Sequence, residues 1–186
     1  MHFSLGPCFS IDYTIYSDTA GEIMNTLPTQ SSSLEGLATL DTCYDIFKCA
    51  ENVYQYLASV HTSHTEIARM WGELAVDKCN HADTFRMAAR LKGQGVRKIH
   101  DSAGTVQKTL VTMKSISLER SGQIPTVESA LRFSLKMEEL LAQVHFHVIV
   151  EFNNQQDGRL LTSSLQPSNS LLHMLTEEYV NATMFA

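Results

Sequence analysis

Two stretches of this chain repeat one pattern: a glutamate on the inner face of one helix, then a histidine on the inner face of the next. The first carries Glu51 in Cys49-Ala50-Glu51-Asn52-Val53-Tyr54 and His81 in Asp77-Lys78-Cys79-Asn80-His81. The second carries Glu138 in Lys136-Met137-Glu138-Glu139-Leu140 and His173 in Ser170-Leu171-Leu172-His173. Aligning Glu51 with Glu138 sets Phe47 against Ser134 and Tyr54 against Leu141, one helical face in each copy. The repeat points to an all-α fold, a four-helix bundle of two helical hairpins joined by a crossover of about thirty residues.

The apolar spacing supports this reading. Phe47, Ala50, Glu51, Tyr54, Leu57 and Ala58 follow the i, i+3, i+4, i+7 rule of one face, which predicts a helix from about Leu40 to His61. Thr62 to Thr65 makes a turn, and Ser63 or Thr65 caps the next helix. That helix runs to Leu91, with Ala68, Trp71, Leu74 or Ala75, Lys78, His81 and Phe85 inward, and Gly93 and Gly95 end it. A connecting helix is predicted from Gly104 to Leu118, with Val106, Leu110, Met113 and Ser117 on one face. Ser121 to Pro125 is a break, after which Thr126 caps a helix expected to reach Phe152. Its stripe holds Ala130 or Leu131, Ser134, Glu138, Leu141, His145 and Val148. The last helix is expected from Arg159 to Thr183, kinked or restarted at Pro167. Residues 1–38 mix aromatics with Gly6, Pro7, Gly21, Pro28 and Ser31-Ser32-Ser33, and read as an irregular N-terminal arm before a helical domain at 39–186. Strand character is confined at best to that arm.

Composition removes some classes of function. A formal net charge of −6 and a pI near 5.7, with no basic stripe, argue against nucleic-acid binding. No apolar run approaches membrane-span length, and residues 1–18 lack the pattern of a secretory signal. Cys8, Cys43, Cys49 and Cys79 form no CxxC pair and no zinc-finger spacing, so reduced thiols in a cytoplasmic protein are expected. A Cys43–Cys49 disulfide would require a broken helix. Other signals are weak. His145 and His147 point to different sides of a helix, His61 and His64 lie at an exposed helix end, and His100-Asp101-Ser102 does not make a triad by adjacency.

At Tyr54-Gln55-Tyr56-Leu57-Ala58, at Trp71-Gly72-Glu73-Leu74-Ala75 through His81-Ala82, and at Ala130 through Glu139, the chain resembles the rubrerythrin-like branch of the ferritin-like superfamily. The resemblance spans about Leu40 to Ala182. It implies a ferritin-like bundle with a metal site built from Glu51, His81, Glu138 and His173. Active members of that family hold two irons with a glutamate from each of two helices and a Glu-x-x-His motif from each of the others. Here Lys78 stands in that motif before His81, and Ser170 before His173. Asp77 is one residue out of phase, and Glu177 lies one turn beyond His173. No cysteine-paired iron–sulfur module accompanies the bundle, so the resemblance does not extend to electron transfer through one.

The lysine is the decisive departure. An ammonium in the bundle core supplies the charge a metal would bring, and we expect Lys78 to pair with Glu51 or Glu138 inside the bundle. The bland alternative reads both glutamates as half-exposed helix carboxylates and both histidines as hydrogen-bonded core residues. The degenerate site implies a non-catalytic binding or structural role, as a homodimer through a helix face. The alternatives are a metal-binding oxidoreductase acting on peroxide or dioxygen, or metal storage or sensing with one ion per bundle. That ion would be held by His173, Glu138 and either Glu177 or His145. Imidazole and carboxylate donors suit iron or zinc.

Overall fold

The computed structural model describes residues 30–91, 96–100, 104–118, 124–145, 149–154, 156, 159 and 169–184. Cys8, Gly93, Gly95, His147, Val148 and Pro167 lie outside them, as does the N-terminal arm up to residue 29. The described chain is mostly helical: α1 Gln30–Val60, α2 Thr65–Leu91, α3 Thr105–Leu118, α4 Val127–Ala142 and α5 Asn169–Met184. Among the described residues no helix is long and apolar enough to cross a membrane.

Helices α1 and α2 form the main packing unit. The turn at residues 61–64 reverses the chain, with the His64 amide bonded to the His61 carbonyl at 2.9 Å. Contacts then run antiparallel: His61 meets Trp71, Phe47 meets His81 and Phe85, and Tyr44 meets Arg86. The face expected from the spacing is the face buried. Phe47, Ala50, Tyr54 and Leu57 of α1 and Trp71, Leu74 and Phe85 of α2 enter one continuous core. His61 departs from expectation. It is buried on the Trp71 ring at 5.1 Å, and its pKa is lowered by burial and then by His64. Cys43 and Cys49 lie on an unbroken α1, where side chains six residues apart point in different directions.

Helix α3 packs Val106, Leu110 and Met113 into the core, against α1. It opens at Gly104, whose φ of 69° lies in the left-handed region that glycine enters without a side-chain penalty. Helix α4 starts where the sequence places it: the Thr126 hydroxyl accepts from the Ser129 amide at 3.2 Å. Helix α5 packs on α4 and α2, with Leu175 buried.

Two boundaries differ from expectation. Helix α1 begins at Gln30, so residues 30–38 belong to it and not to the irregular arm. Serine is as favourable at a helix start as in a linker, which makes Ser31-Ser32-Ser33 ambiguous. Helix α4 ends at Ala142, ten residues before the expected Phe152, where the Gln143 amide bonds to the Leu140 carbonyl at 3.2 Å. Beyond it, Val150–Phe152 is a strand, β2, antiparallel to Val96–Ile99, β1. Both strands fall outside the N-terminal region, the only place they were expected. Val150 is β-branched and Phe152 aromatic, and both suit a pleated surface once a partner strand is present. Arg97 reaches Glu151 across the pair at 2.9 Å. Arg159 is helical, as expected, and the kink or restart expected at Pro167 falls between it and the described helix α5, outside the described residues.

Candidate functional site

The structure brings α1, α2, α4 and α5 together around a cleft of ≈ 470 Å³. Its walls are apolar, with Phe47 from α1, Leu74 from α2, Leu135 and Leu141 from α4, and Leu172 from α5. Its floor is charged. Lys78 Nζ lies 2.9 Å from Glu138 Oε2 and 2.9 Å from Asp77 Oδ2. The Tyr54 hydroxyl donates to the other oxygen of Glu138, Oε1, at 2.6 Å. His81 stands beside this cluster, with Nε2 3.7 Å from Asp77 Oδ1 and its ring stacked on Phe47 at 5.0 Å and 6°. The His145 ring meets His81 edge-on at 4.7 Å.

Local sequence explains the gathering. On α2, Leu74, Lys78 and His81 repeat at i, i+4 and i+7, so one inward stripe carries all three. Asp77 lies one position from that stripe, at the edge from which its short carboxylate still meets the lysine head. On α4, Ser134 and Glu138 lie one turn apart and face α1 and α2. The buried Trp71 Nε1 donates to Ser134 Oγ at 3.0 Å, and Ser134 Oγ donates to the Ala130 carbonyl at 2.9 Å. Ser134 thus fixes the height of α4 against α2 and sets Glu138 level with Lys78. Replacing Ser134 with alanine should cost about 1–3 kcal/mol in urea unfolding, because the buried indole N–H loses its acceptor.

Of the four expected metal donors, the structure brings together His81 and Glu138 only. Glu51 is buried but belongs to a separate groove, lined by Gly72, Ala75, Val76 and Cys79. Its carboxylate is taken on its own helix by Lys48 and by Gln55 at 3.1 Å. The Cys79 thiol beside it is pushed up by burial and then by the Glu51 charge, which disfavours a reactive thiolate. His173 is 72% exposed and faces Glu177 on α5 at 3.3 Å. Its exposure follows from phase, since it lies about 200° around the helix from the buried Leu175. Glu138 and His145 line the cleft, whereas His173 and Glu177 do not, so the single-ion donor set expected from the sequence is divided as well. Among the described residues no three His, Cys, Asp or Glu side chains are grouped to hold a metal ion. The donors therefore do not fit a di-iron centre, and the ammonium lies against the one glutamate of the set that reaches the cleft.

The expected lysine pair is present, and its partner is Glu138, not Glu51. Tyr54 is the member that sequence reasoning missed. The spacing puts it on the inner face of α1, opposite Leu141 in the repeat, and a phenol at that level can donate to a carboxylate across the core.

The cluster holds its protons tightly. Burial is the largest single influence on Lys78 and pulls its pKa down, but Glu138 and Asp77 together outweigh it. The pKa stands above the ordinary 10.5. Burial, then the Glu138 charge, raises Tyr54 well above 10.0. Both groups bind protons more strongly folded than unfolded, so their contribution is complete below their unfolded values and is lost as pH rises past them. Urea stability should fall above about pH 10, and Tyr54→Phe should flatten that fall. An unchanged alkaline slope in the variant would count against the tyrosine's share.

Comparison of the chain with protein-family models, with curated proteins and with solved structures finds no match.

Proposed function

We propose that this chain is a ferritin-like helical bundle of the rubrerythrin-like branch whose two-metal site has been replaced by an internal lysine–carboxylate cluster. On this reading it is a binding or structural protein and not a redox enzyme. The observation that carries the proposal is Lys78 Nζ at 2.9 Å from both Glu138 and Asp77. A fixed ammonium neutralises carboxylates that would otherwise repel, and it disfavours a dication in the same volume. The α1–α2 pair, the intervening α3, and α4 packed on α5 support the bundle reading.

Metal analysis tests it. Protein purified without chelators should carry well under one iron per chain and show no oxo-bridge absorption after aerobic iron addition. Two irons per chain with such a band would defeat the proposal.

A further inference from the structure

We propose that the cleft between α1, α2, α4 and α5 binds a small amphiphilic organic cation, an alkylammonium whose head meets Asp77 and Glu138 and whose apolar body lies along Leu74, Leu135 and Leu141. The proposal rests on the reading that Lys78, and not a metal, is the cation built into the floor.

Accessibility selects the sign of the ligand. The Lys78 side chain is 6% exposed, whereas those of Asp77 and Glu138 are 18% and 17% exposed. Lys78 lines the cleft together with both acids but is the least exposed of the three, so the carboxylates offer more accessible surface than the ammonium. One ammonium against two carboxylates leaves the floor one negative charge in excess, and Glu139, exposed at the rim, adds another. An anionic head would face the carboxylates with the lysine's charge already engaged. A cationic head would gain charge-assisted hydrogen bonds to them.

Size and wall chemistry select the rest of the ligand. A volume of ≈ 470 Å³ falls within the range of small-molecule sites. Such sites combine apolar walls with a few convergent polar groups, as this cleft does. A bare inorganic cation would leave the leucine walls without a partner. An alkyl chain on the ammonium covers them and adds the transfer free energy of its methylenes.

The test is calorimetric titration of the full chain at about pH 8 with chelator present. The probes are chain-matched: heptylammonium chloride, sodium heptanoate and heptanol. Heptylammonium should bind saturably and at least about tenfold more tightly than heptanoate. Asp77→Asn keeps the Lys78–Glu138 pair and should weaken heptylammonium about tenfold. Glu139→Gln changes an exposed residue that cannot compromise folding, and should weaken it about two- to threefold. Three results would overturn the proposal: no saturable heptylammonium binding, heptanoate binding as tightly, or affinity unchanged in both variants. Iron content is assayed separately, so a metal-loaded chain overturns the earlier reading while indifference to ligand charge overturns this one alone.

Discussion

Lys78→Ala is expected to destabilise the fold by about 3–5 kcal/mol, measured by urea unfolding near pH 7.5. Lys78 is a buried cation shared by two carboxylates, and truncation leaves Asp77 and Glu138 close together with no countercharge. The intact pair need not add net stability, because desolvation offsets much of its attraction. Removing one partner exposes the full cost of the other. A double-mutant cycle separates these effects. Glu138→Gln in the Lys78→Ala background removes one of the stranded charges, so the double variant should lose clearly less than the sum of the singles. Additive losses, or a single-variant loss below about 1 kcal/mol, would mean that water already screens the cluster.

Phe47→Ala should cost a similar amount, about 3–5 kcal/mol, seen as a fall in Tm of roughly 10 °C by calorimetry. Phe47 is buried, with its ring stacked on His81 and 5.5 Å from Phe85. It joins the apolar core to the polar floor, so its loss opens a cavity and also frees the His81 ring to turn. Phe47→Leu retains most of the volume without the aromatic face and should cost about 1–2 kcal/mol. A leucine variant as damaged as the alanine would show that stacking, and not volume, is the main contribution.

The extent to which the fold could be read from the chain varies by element. Helix α2 was legible at both ends, because Thr65 and Glu66 open it and one uninterrupted stripe from Trp71 to Phe85 runs through it. The start of α4 was equally plain from Thr126. Its end was not. Leu141, His145 and Val148 satisfy a helical period, while Val148 to Val150 also suit a strand, and a short apolar run does not choose between them. The choice depends on Val96–Ile99, about fifty residues away, which supplies the partner edge.

The site divides in the same way. Lys78 on the inner face of α2 was evident from spacing, and so was a carboxylate partner. Which carboxylate depends on the rotation of α1 about its own axis. Glu51 and Tyr54 are both inward, but they lie on opposite flanks of the α1–α2 seam. Tyr54 turns to Glu138, and Glu51 turns to the groove beside Cys79.

The order of amino acids therefore determined that helices form, where most of them begin, and which face of α1 through α4 is buried, because these follow from a local period of 3.6 residues and from caps a few residues long. Only the tertiary structure decided which inward side chains meet. Helix rotation, relative height and the docking of a distant strand are set by packing between segments far apart in the chain, and here one ammonium lies between two acids because Trp71 and Ser134 bring α2 and α4 to the same level.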